Sequence, residues 1–313
     1  MNPLPPSPPS PLPPPSPLVV GFGENSVDHV YRLPRYPQPG GATTKVRIDR
    51  HDVRPGGQVA TTLATCARLG RPTRYLGTLG DDNHGQLIKR ELERRGVDVQ
   101  YAMVRPGPNR YALILIDATH GERVVLWQRD AALTITAEDV RPEWLDGAAL
   151  VHVDATDEEA AIVLAHLARE RGLPVTCDVD RLTPRTPALL DAASIPILAE
   201  HLPFELTGHN DPEQALRGLR HRHGGRLVVT LGERGAAMLD GDRYVHAPGI
   251  PVRVVDSTGA GDVFRGALIH ALLRGDSPED LLRFANAAAA VSCTKDGAMD
   301  GTPTLEEVER MLS

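Results

Sequence analysis

The chain has 313 residues, of which 41% are hydrophobic and 24% are charged. This is an ordinary balance for a soluble globular enzyme, and the length is close to the upper limit for one α/β domain. The formal net charge is −7 and the basic residues are scattered, which argues against nucleic acid or an anionic membrane as the main partner.

The three cysteines, Cys66, Cys177 and Cys293, lie far apart and show no paired spacing. This pattern argues against a disulfide framework and against a zinc site. No apolar run reaches the roughly 20 residues of a membrane-spanning helix, and the N-terminus lacks the pattern of a secretory signal. We therefore expect a cytoplasmic protein.

The first segment, residues 1–18, consists almost entirely of Pro, Ser and Leu. Such a composition cannot bury enough apolar surface to order itself, and it favours an extended, disordered tail. We expect the folded domain to occupy residues 19–313.

From Val19 onward, short β-branched runs alternate with longer helical patterns, several of which end at a glycine. This alternation predicts a doubly wound, mostly parallel α/β sheet with helices on both faces. The predicted strands are 19–21, 74–77, 149–153, 175–179, 195–198 and 227–231, and the predicted helices are 57–69, 86–95, 158–171 and 213–221.

Two segments depart from this rhythm. Residues 29–53 and 105–129 are richer in Thr, Arg, Val and Tyr, with alternating polarity. They predict antiparallel strands with one solvated face, and we interpret them as a small β-lid over a site at the edge of the main sheet. The alternative is a pair of extra hairpins on the edge of that sheet.

The most informative stretch runs from Val254 to Asp262. Val254 and Val255 predict a strand that leads into a glycine-rich turn, and a helix begins at or near Asp262. Small residues allow successive backbone N–H groups to converge at the positive end of a helix, which favours binding of an anion such as a phosphoryl group. Asp262 could take a proton from an attacking hydroxyl, or it could simply cap the helix.

The stretch Asp256–Asp262 resembles the second motif of the ribokinase/PfkB carbohydrate kinases. The resemblance extends from Val19 to about Pro303, because four further motifs follow the order of that family. They are the double-glycine motif 56–60, the Gly-Asp-Asp segment 80–85, the nucleotide-loop motif 229–235, and the pair Ala285 and Asn286.

The resemblance implies a ribokinase-like fold, a sugar bound under the lid, and ATP bound along the loops after the later strands. It also implies Mg²⁺ carried with ATP, and a monovalent cation such as K⁺ beside the anion-binding turn. The implied catalytic residues are Asp262 as the base and Gly259, Ala260 and Gly261 as the anion hole. The implied substrate residues are Asp28, Gly56, Gly57 and Gln58. The nucleotide side would be lined by Thr230, Gly232 and Asn286. The monovalent cation would be bound by Asp256 and Thr258.

Several of these residues have simpler interpretations. Asp28 could cap the turn after the first strand, the two glycines could form only the start of a helix, and Asn286 could be a polar residue on a helix surface.

The chain departs from the family pattern at two places. The double-glycine motif usually continues to an asparagine that binds sugar hydroxyls, and Thr61 stands there instead. Its single hydroxyl makes fewer hydrogen bonds, which argues against ribose-type recognition; this version is similar to the sulfofructose kinase-like branch. The element that normally organises Mg²⁺ is also absent, and Glu200 is the candidate replacement.

We therefore predict an ATP-dependent carbohydrate kinase that phosphorylates a hydroxyl of a sugar or sugar derivative. The alternatives are a nucleoside kinase of the same fold and a non-catalytic protein that binds sugar or nucleotide. A ligand panel separates the carbohydrate kinase from the nucleoside kinase. Substrate-stimulated ADP release would exclude the non-catalytic protein. Because lid edges are exposed strands, we also expect a homodimer that pairs through the lid.

Overall fold

The computed structural model describes residues 16–41, 44–119, 123–220 and 223–313. Most of the predicted tail, and the predicted helix end at His221, therefore lie outside the described residues. The strands are β1 (Leu18–Phe22), β2 (Ser26–Leu33), β3 (Arg50–Gly56), β4 (Thr73–Leu76), β5 (Thr78–Gly80), β6 (Val97–Asp98), β7 (Met103–Arg105), β8 (Tyr111–Asp117), β9 (Arg123–Gln128), β10 (Ala148–Asp154), β11 (Val175–Val179), β12 (Ile195–Leu198), β13 (Leu227–Thr230), β14 (Ala236–Asp240) and β15 (Arg243–Ala247). The helices are α1 (Gln58–Arg68), α2 (Asn83–Arg94), α3 (Glu158–Glu170), α4 (Thr186–Ala192), α5 (His201–Thr207), α6 (Pro212–Arg220), α7 (Ala260–Arg274), α8 (Pro278–Cys293) and α9 (Leu305–Leu312).

The main sheet has nine strands in the order β15-β14-β13-β12-β11-β10-β1-β4-β6. All of its pairs are parallel except β13 with β14 and β14 with β15. Parallel strands that are covered on both faces are apolar at successive positions, as in β1. Val20 packs in the cluster that contains α3, α4 and α6, whereas Val19 packs in the cluster that contains α1.

A separate four-stranded sheet, in the order β3-β2-β8-β9, forms the lid. Its strands fall within or next to the two segments that break the sequence rhythm, and they pair with one another rather than with the main sheet. The edge-hairpin interpretation is therefore wrong. The lid is also not wholly antiparallel, because β2 pairs with β8 in parallel; the chain passes through α1 and α2 before β8 returns beside β2, so no hairpin links these two strands.

One predicted strand is absent. Val254 and Val255 are 60% and 48% exposed, and the N–H of Val255 donates to the carbonyl oxygen of Cys293 at 2.8 Å. This segment therefore bonds to the end of α8 instead of entering a sheet, and the strand prediction, which rested on two β-branched residues, is wrong.

Among the described residues, no helix combines the length and the apolar character that crossing a bilayer requires.

Candidate active site

The anion-binding turn lies at the start of α7. Gly259 is the N-cap of this helix and has φ +75°, a left-handed conformation that favours glycine. A Cβ at this position would also lie 2.5 Å from the Cβ of Ala298. The N–H of Ala260 donates to the carbonyl oxygen of Ser257 at 3.3 Å. The next N–H groups of the first turn, those of Gly261 and Asp262, have no carbonyl partner within the helix, which makes this end of α7 a favourable place for a phosphoryl oxygen.

Asp262 is the third residue of α7, so the interpretation of its side chain as the N-cap is wrong. Burial raises the pKa of Asp262 well above its ordinary value. The nearby guanidinium of Arg265 opposes this rise, whereas the carboxyls of Asp178 and Glu24 add to it. The site therefore holds a carboxyl group whose proton affinity is increased, as a general base requires.

Two cavities meet at this turn. The nucleotide-side cavity has a volume of about 860 Å³ and lies between the β13–β14 turn, α8 and the start of α7. The lid cavity has a volume of about 330 Å³ and lies between α7 and the lid sheet. Ser257, Ala260 and Gly261 line both cavities, whereas Asp262 lines the lid cavity. The turn is therefore the wall between two compartments, and the carboxylate stands on one side of it.

Asp28 lies inside strand β2 and lines the lid cavity, so its interpretation as a turn cap is wrong. It is 8% exposed, and its Oδ1 accepts a hydrogen bond from Ser26 at 2.9 Å. Burial raises the pKa of Asp28, although Ser26 and Arg110 partly offset the rise. Gly56 is in close contact with this carboxylate, because a Cβ there would be 2.4 Å from Oδ2 of Asp28.

The remaining candidates for the substrate side lie at the start of α1. Gly57 is the N-cap of α1 and also lines the lid cavity. Gln58 lines the same cavity, and its Nε2 donates to Oδ2 of Asp180 at 3.0 Å. Thr61 is fully buried and does not line the cavity, and its hydroxyl has no partner among the described residues. The structure therefore does not bring Thr61 to the surface of the pocket.

The nucleotide-side candidates come together in the large cavity. Thr230, Gly232 and Asn286 all line it. Asn286 is only 6% exposed, so it is not a surface residue. Its Nδ2 donates to the carbonyl oxygens of Ala247 and Pro248 at 2.9 and 3.1 Å, which fixes α8 to the end of β15.

The residues assigned to metals are engaged with other groups. Each carboxylate oxygen of Asp256 accepts a backbone N–H, one from Thr258 at 2.9 Å and one from Gly297 at 3.0 Å. Burial acts to raise the pKa of Asp256, but these donors bring it below its ordinary value. Glu200 is half-buried at the start of α5 and pairs with Arg234. The described part of the chain contains no cluster of three or more His, Cys, Asp or Glu side chains arranged for a metal ion.

The sequence interpretation missed several charged residues of the site. Glu24 and Arg110 pair at 3.1 Å and line both the lid cavity and an adjoining cavity of about 220 Å³, which we name the arginine cavity. Trp127 and Arg181 also line the arginine cavity. These residues come from widely separated parts of the chain, so the sequence carried no signal that would group them.

Comparison with known proteins identifies the family. The profile of the pfkB family carbohydrate kinases matches residues 18–305, and the chain belongs to this family. It is an enzyme of the class that uses ATP to phosphorylate a sugar or a nucleoside. The predicted family and the ribokinase-like fold are therefore confirmed, whereas the sulfofructose kinase-like branch stays a prediction.

Individual relatives show the extent of the similarity. The chain is 29% identical over 275 residues to ribokinase of Bacillus subtilis, covering 83% of this chain and 88% of that protein. It is 29% identical to fructokinase-1 of Oryza sativa, covering 95% and 98%. The structure of Arabidopsis thaliana ribokinase complexed with ribose and ATP superposes with a TM-score of 0.82 at 29% identity, covering 95% of this chain and 99% of that chain.

Proposed function

We propose that the protein transfers the γ-phosphoryl group of ATP to a hydroxyl of a sugar derivative that carries an acidic substituent. One observation carries the transfer itself: the turn formed by Ala260 and Gly261 is shared by the nucleotide-side cavity and the lid cavity, and Asp262 faces the lid cavity. ATP in the large cavity would place its terminal phosphate against the same N–H groups that an acceptor hydroxyl meets from the other side.

The chemistry follows from this arrangement. Asp262 takes the proton of the acceptor hydroxyl as its oxygen bonds to the γ-phosphorus and the bond to ADP breaks. The first-turn N–H groups of α7 stabilise the charge on the moving phosphoryl oxygens, and positioning supplies most of the remaining rate enhancement. The lid sheet covers the acceptor and excludes water, which is a competing acceptor. Asp28 is placed to accept hydrogen bonds from other hydroxyls of the substrate.

The acidic substituent is inferred from the arginine cavity, which opens from the lid cavity at Glu24 and Arg110. Burial raises the pKa of Glu24 to about 8, so at neutral pH this carboxyl is mostly protonated and does not neutralise Arg110. Arg181 lines the same cavity and has no acidic partner in the described ranges. The cavity is lined by the guanidinium groups of Arg110, Arg129 and Arg181 and by the carboxyl groups of Glu24 and Asp130. This excess of positive charge favours a carboxylate, sulfonate or phosphate group.

Trp127 supports this interpretation. It is 57% exposed on strand β9, and the guanidinium of Arg110 lies 5.3 Å from the centre of its ring. A stacked arginine keeps its plane fixed and its N–H donors directed to the side, which preorganises it for a planar or tetrahedral anion. An exposed tryptophan in a cavity wall also offers an apolar surface to a sugar ring.

The decisive experiment measures ADP release from ATP with purified protein and a panel of acceptors. The panel pairs neutral sugars with their acid derivatives and includes fructose, ribose and adenosine. We expect the acid member of a pair to have the higher kcat/KM. Arg181→Gln should reduce that preference by about tenfold or more, whereas Arg90→Gln on the exposed face of α2 should not.

Other results would assign other functions. Equal rates with neutral and acid members would remove the acidic substituent from the proposal. Preference for adenosine would favour a nucleoside kinase, and binding without ADP release from any acceptor would favour a non-catalytic protein.

We further propose that Mg²⁺ enters with ATP and that the described side chains do not form a ready-made cage for it, since Glu200 is paired with Arg234. If Glu200 contributes to binding the metal, Glu200→Gln raises the Mg²⁺ concentration needed for half-maximal activity. We also propose that a monovalent cation binds at Asp256 and Thr258. Replacing K⁺ with tetramethylammonium in the activity assay tests this binding.

The remaining proposals concern the whole molecule. We propose a cytoplasmic enzyme with one kinase domain, residues 19–313, and a lid from 29–53 and 105–129. All six residues of the edge strand β9 are exposed, which supports pairing of two copies through the lid. Sedimentation of the wild type and of Leu126→Lys tests this pairing.

A further inference from the structure

Arg265 is a buried arginine on α7, three residues after Asp262. It is 5% exposed, and arginine is almost never buried without a charged partner. Its Nη2 lies 2.5 Å from Oδ1 of Asp178, which is itself fully buried at the end of β11. Its Nη1 lies 3.7 Å from Oδ1 of Asp262. One guanidinium therefore bridges two carboxylates, one from the main sheet and one from the anion-binding turn.

The guanidinium lies behind the turn and not in a cavity. A Cβ added to Gly261 would be 2.6 Å from Nη1 of Arg265, so the group is packed directly against the wall between the two compartments. Arg265 lines neither of these compartments. Any effect that it has on the reaction must therefore pass through Asp262 or through the field at the turn.

Arg265 partly offsets the unfavourable effect of burial on the ionised form of Asp262. Because Asp262 is buried among carboxyls, its ionised form, which is the form that can accept a proton, is disfavoured. The guanidinium is the neighbour that favours ionisation, while α1 contributes the uncharged hydroxyl of Thr62, which donates to the main-chain oxygen of Asp262. The ionisable groups around Asp262 and in the same cavity are Asp178, Asp180, Glu24, Asp28, Arg110, Arg123 and Arg265.

Arg265 is itself held in place. Asp178 supplies the close contact, and burial raises the pKa of Asp178 to about 7. On β10, burial and Arg265 lower the pKa of His152 to about 3, so this imidazole is neutral at working pH and does not compete for the carboxylates. A planar guanidinium fixed at one end presents its other N–H groups in a defined direction.

We propose that Arg265 is a positioning residue that keeps Asp262 ionised and oriented, with Asp178 as the anchor of the arginine. The proposal rests on the proposed function, because Asp262 must be the group that receives the hydroxyl proton. In the forward step the O–H bond of the acceptor breaks, the proton moves to Asp262, and the oxygen electron pair forms the new P–O bond as ADP leaves with the electrons of the old one. Arg265 stabilises Asp262 before the proton arrives.

The experiment is the pH dependence of kcat for wild type, Arg265→Met and Arg265→Lys. Without the guanidinium, Asp262 holds its proton to higher pH, so the acidic limb of Arg265→Met moves upward. One pH unit of displacement means about tenfold lower activity below the limb, with recovery above it. Arg265→Lys restores a cation in the same place, and its limb lies between the other two.

A matched control is Arg71→Met. Arg71 also contacts α7, through Nη2 to the carbonyl oxygen of His270 at 3.1 Å, but His270 lies two turns beyond Asp262. Its pH profile should match the wild type. Thermal unfolding measured at each pH shows where each variant is folded, and only those pH values are compared. If Arg265→Met does not fold, Arg265→Lys provides the test.

A uniform loss of activity at every pH, with the limb unchanged, would overturn the proposal, because a purely structural role predicts that pattern. An unchanged profile would overturn it as well. If wild type transfers phosphate to no acceptor, the proposed function fails, but the electrostatic claim can still be decided. The carboxyl ¹³C signal of Asp262, assigned with Asp262→Asn, should then titrate at higher pH in Arg265→Met than in wild type; equal titration would overturn it.

Discussion

Gly56 and Asp28 are in such close contact that no side chain fits between them. A Cβ on Gly56 would lie 2.4 Å from Oδ2 of Asp28, although the backbone conformation of Gly56 is one that other residues adopt. The glycine is therefore required by the position of the carboxylate and not by the turn. Gly56 on β3 pairs with Ser26 on β2, so Gly56 and Asp28 are diagonal neighbours in the lid sheet.

Gly56→Ala should displace the Asp28 carboxylate and raise the KM for the acceptor. A displacement of about 1 Å in a positioning group can cost up to roughly 10²-fold in rate, so we expect kcat/KM to fall by about one to two orders of magnitude while ATP binding is retained. Gly224→Ala is the control, because a Cβ at Gly224 meets open space. Equal kinetics in both variants would show that Asp28 does not contact the substrate.

Asp262→Asn should lose most turnover while the protein still binds nucleotide. Removal of a general base typically lowers the rate by about 10² to 10⁴, whereas Asp262 lies outside the nucleotide-side cavity. Steady-state ADP release and calorimetric titration with a non-hydrolysable ATP analogue measure the two effects. The exposed Asp242→Asn is the comparison variant, and full turnover by Asp262→Asn would exclude Asp262 as the base.

Asn286→Ala should weaken both stability and nucleotide binding. The substitution leaves the carbonyl oxygens of Ala247 and Pro248 without their donor, which we expect to lower the free energy of unfolding by about 1–3 kcal/mol. Because the side chain lines the nucleotide-side cavity, the Kd for ATP should rise. Urea unfolding and ATP titration test this, with the exposed Asn210→Ala as control; a stable variant with normal ATP affinity would contradict the assignment.

Glu24→Gln should change how stability depends on pH. Burial raises the pKa of Glu24 from 4.5 to about 8 in the folded protein, so between these values the folded state holds a proton that the unfolded state releases. The free energy of unfolding therefore falls as pH rises through this window, by at most about 1.4 kcal/mol per pH unit from this group.

In Glu24→Gln this contribution is absent, and Tm relative to wild type should increase from pH 5 to pH 8. Melting curves of wild type, Glu24→Gln and the exposed Glu205→Gln measure it. A constant difference in Tm across the range would show that Glu24 is ionised in the folded protein.

The parts of the molecule that the sequence could predict depend on contacts between near neighbours along the chain. The turn at Gly259 depends on successive small residues before a helix, and the alternation of apolar runs with helical patterns predicts the main sheet. The prediction of a strand at Val254 and Val255 was wrong because it used only the β-branched character of these two residues, which is local information. The hydrogen-bond partner of Val255, the carbonyl oxygen of Cys293, lies far along the chain.

The parts that the sequence could not predict depend on pairs that only folding brings together. Arg265 reads as one more basic residue on a helix until β11 places Asp178 beside it. Arg110 likewise gains its meaning from Glu24 and Trp127. For Thr61 the local motif was misleading. Its place in the motif suggested contact with substrate, but its position on α1 directs the side chain to the protein interior.

The shared wall at Ala260 and Gly261 also bears on inhibition. A single molecule that joins an acceptor analogue to adenosine through a short polyphosphate bridge would occupy both compartments at once. Linking the two halves replaces a second bimolecular encounter with an intramolecular one, so such a bisubstrate ligand should bind far more tightly than either half. The bridge length that binds best would report the thickness of the wall in solution.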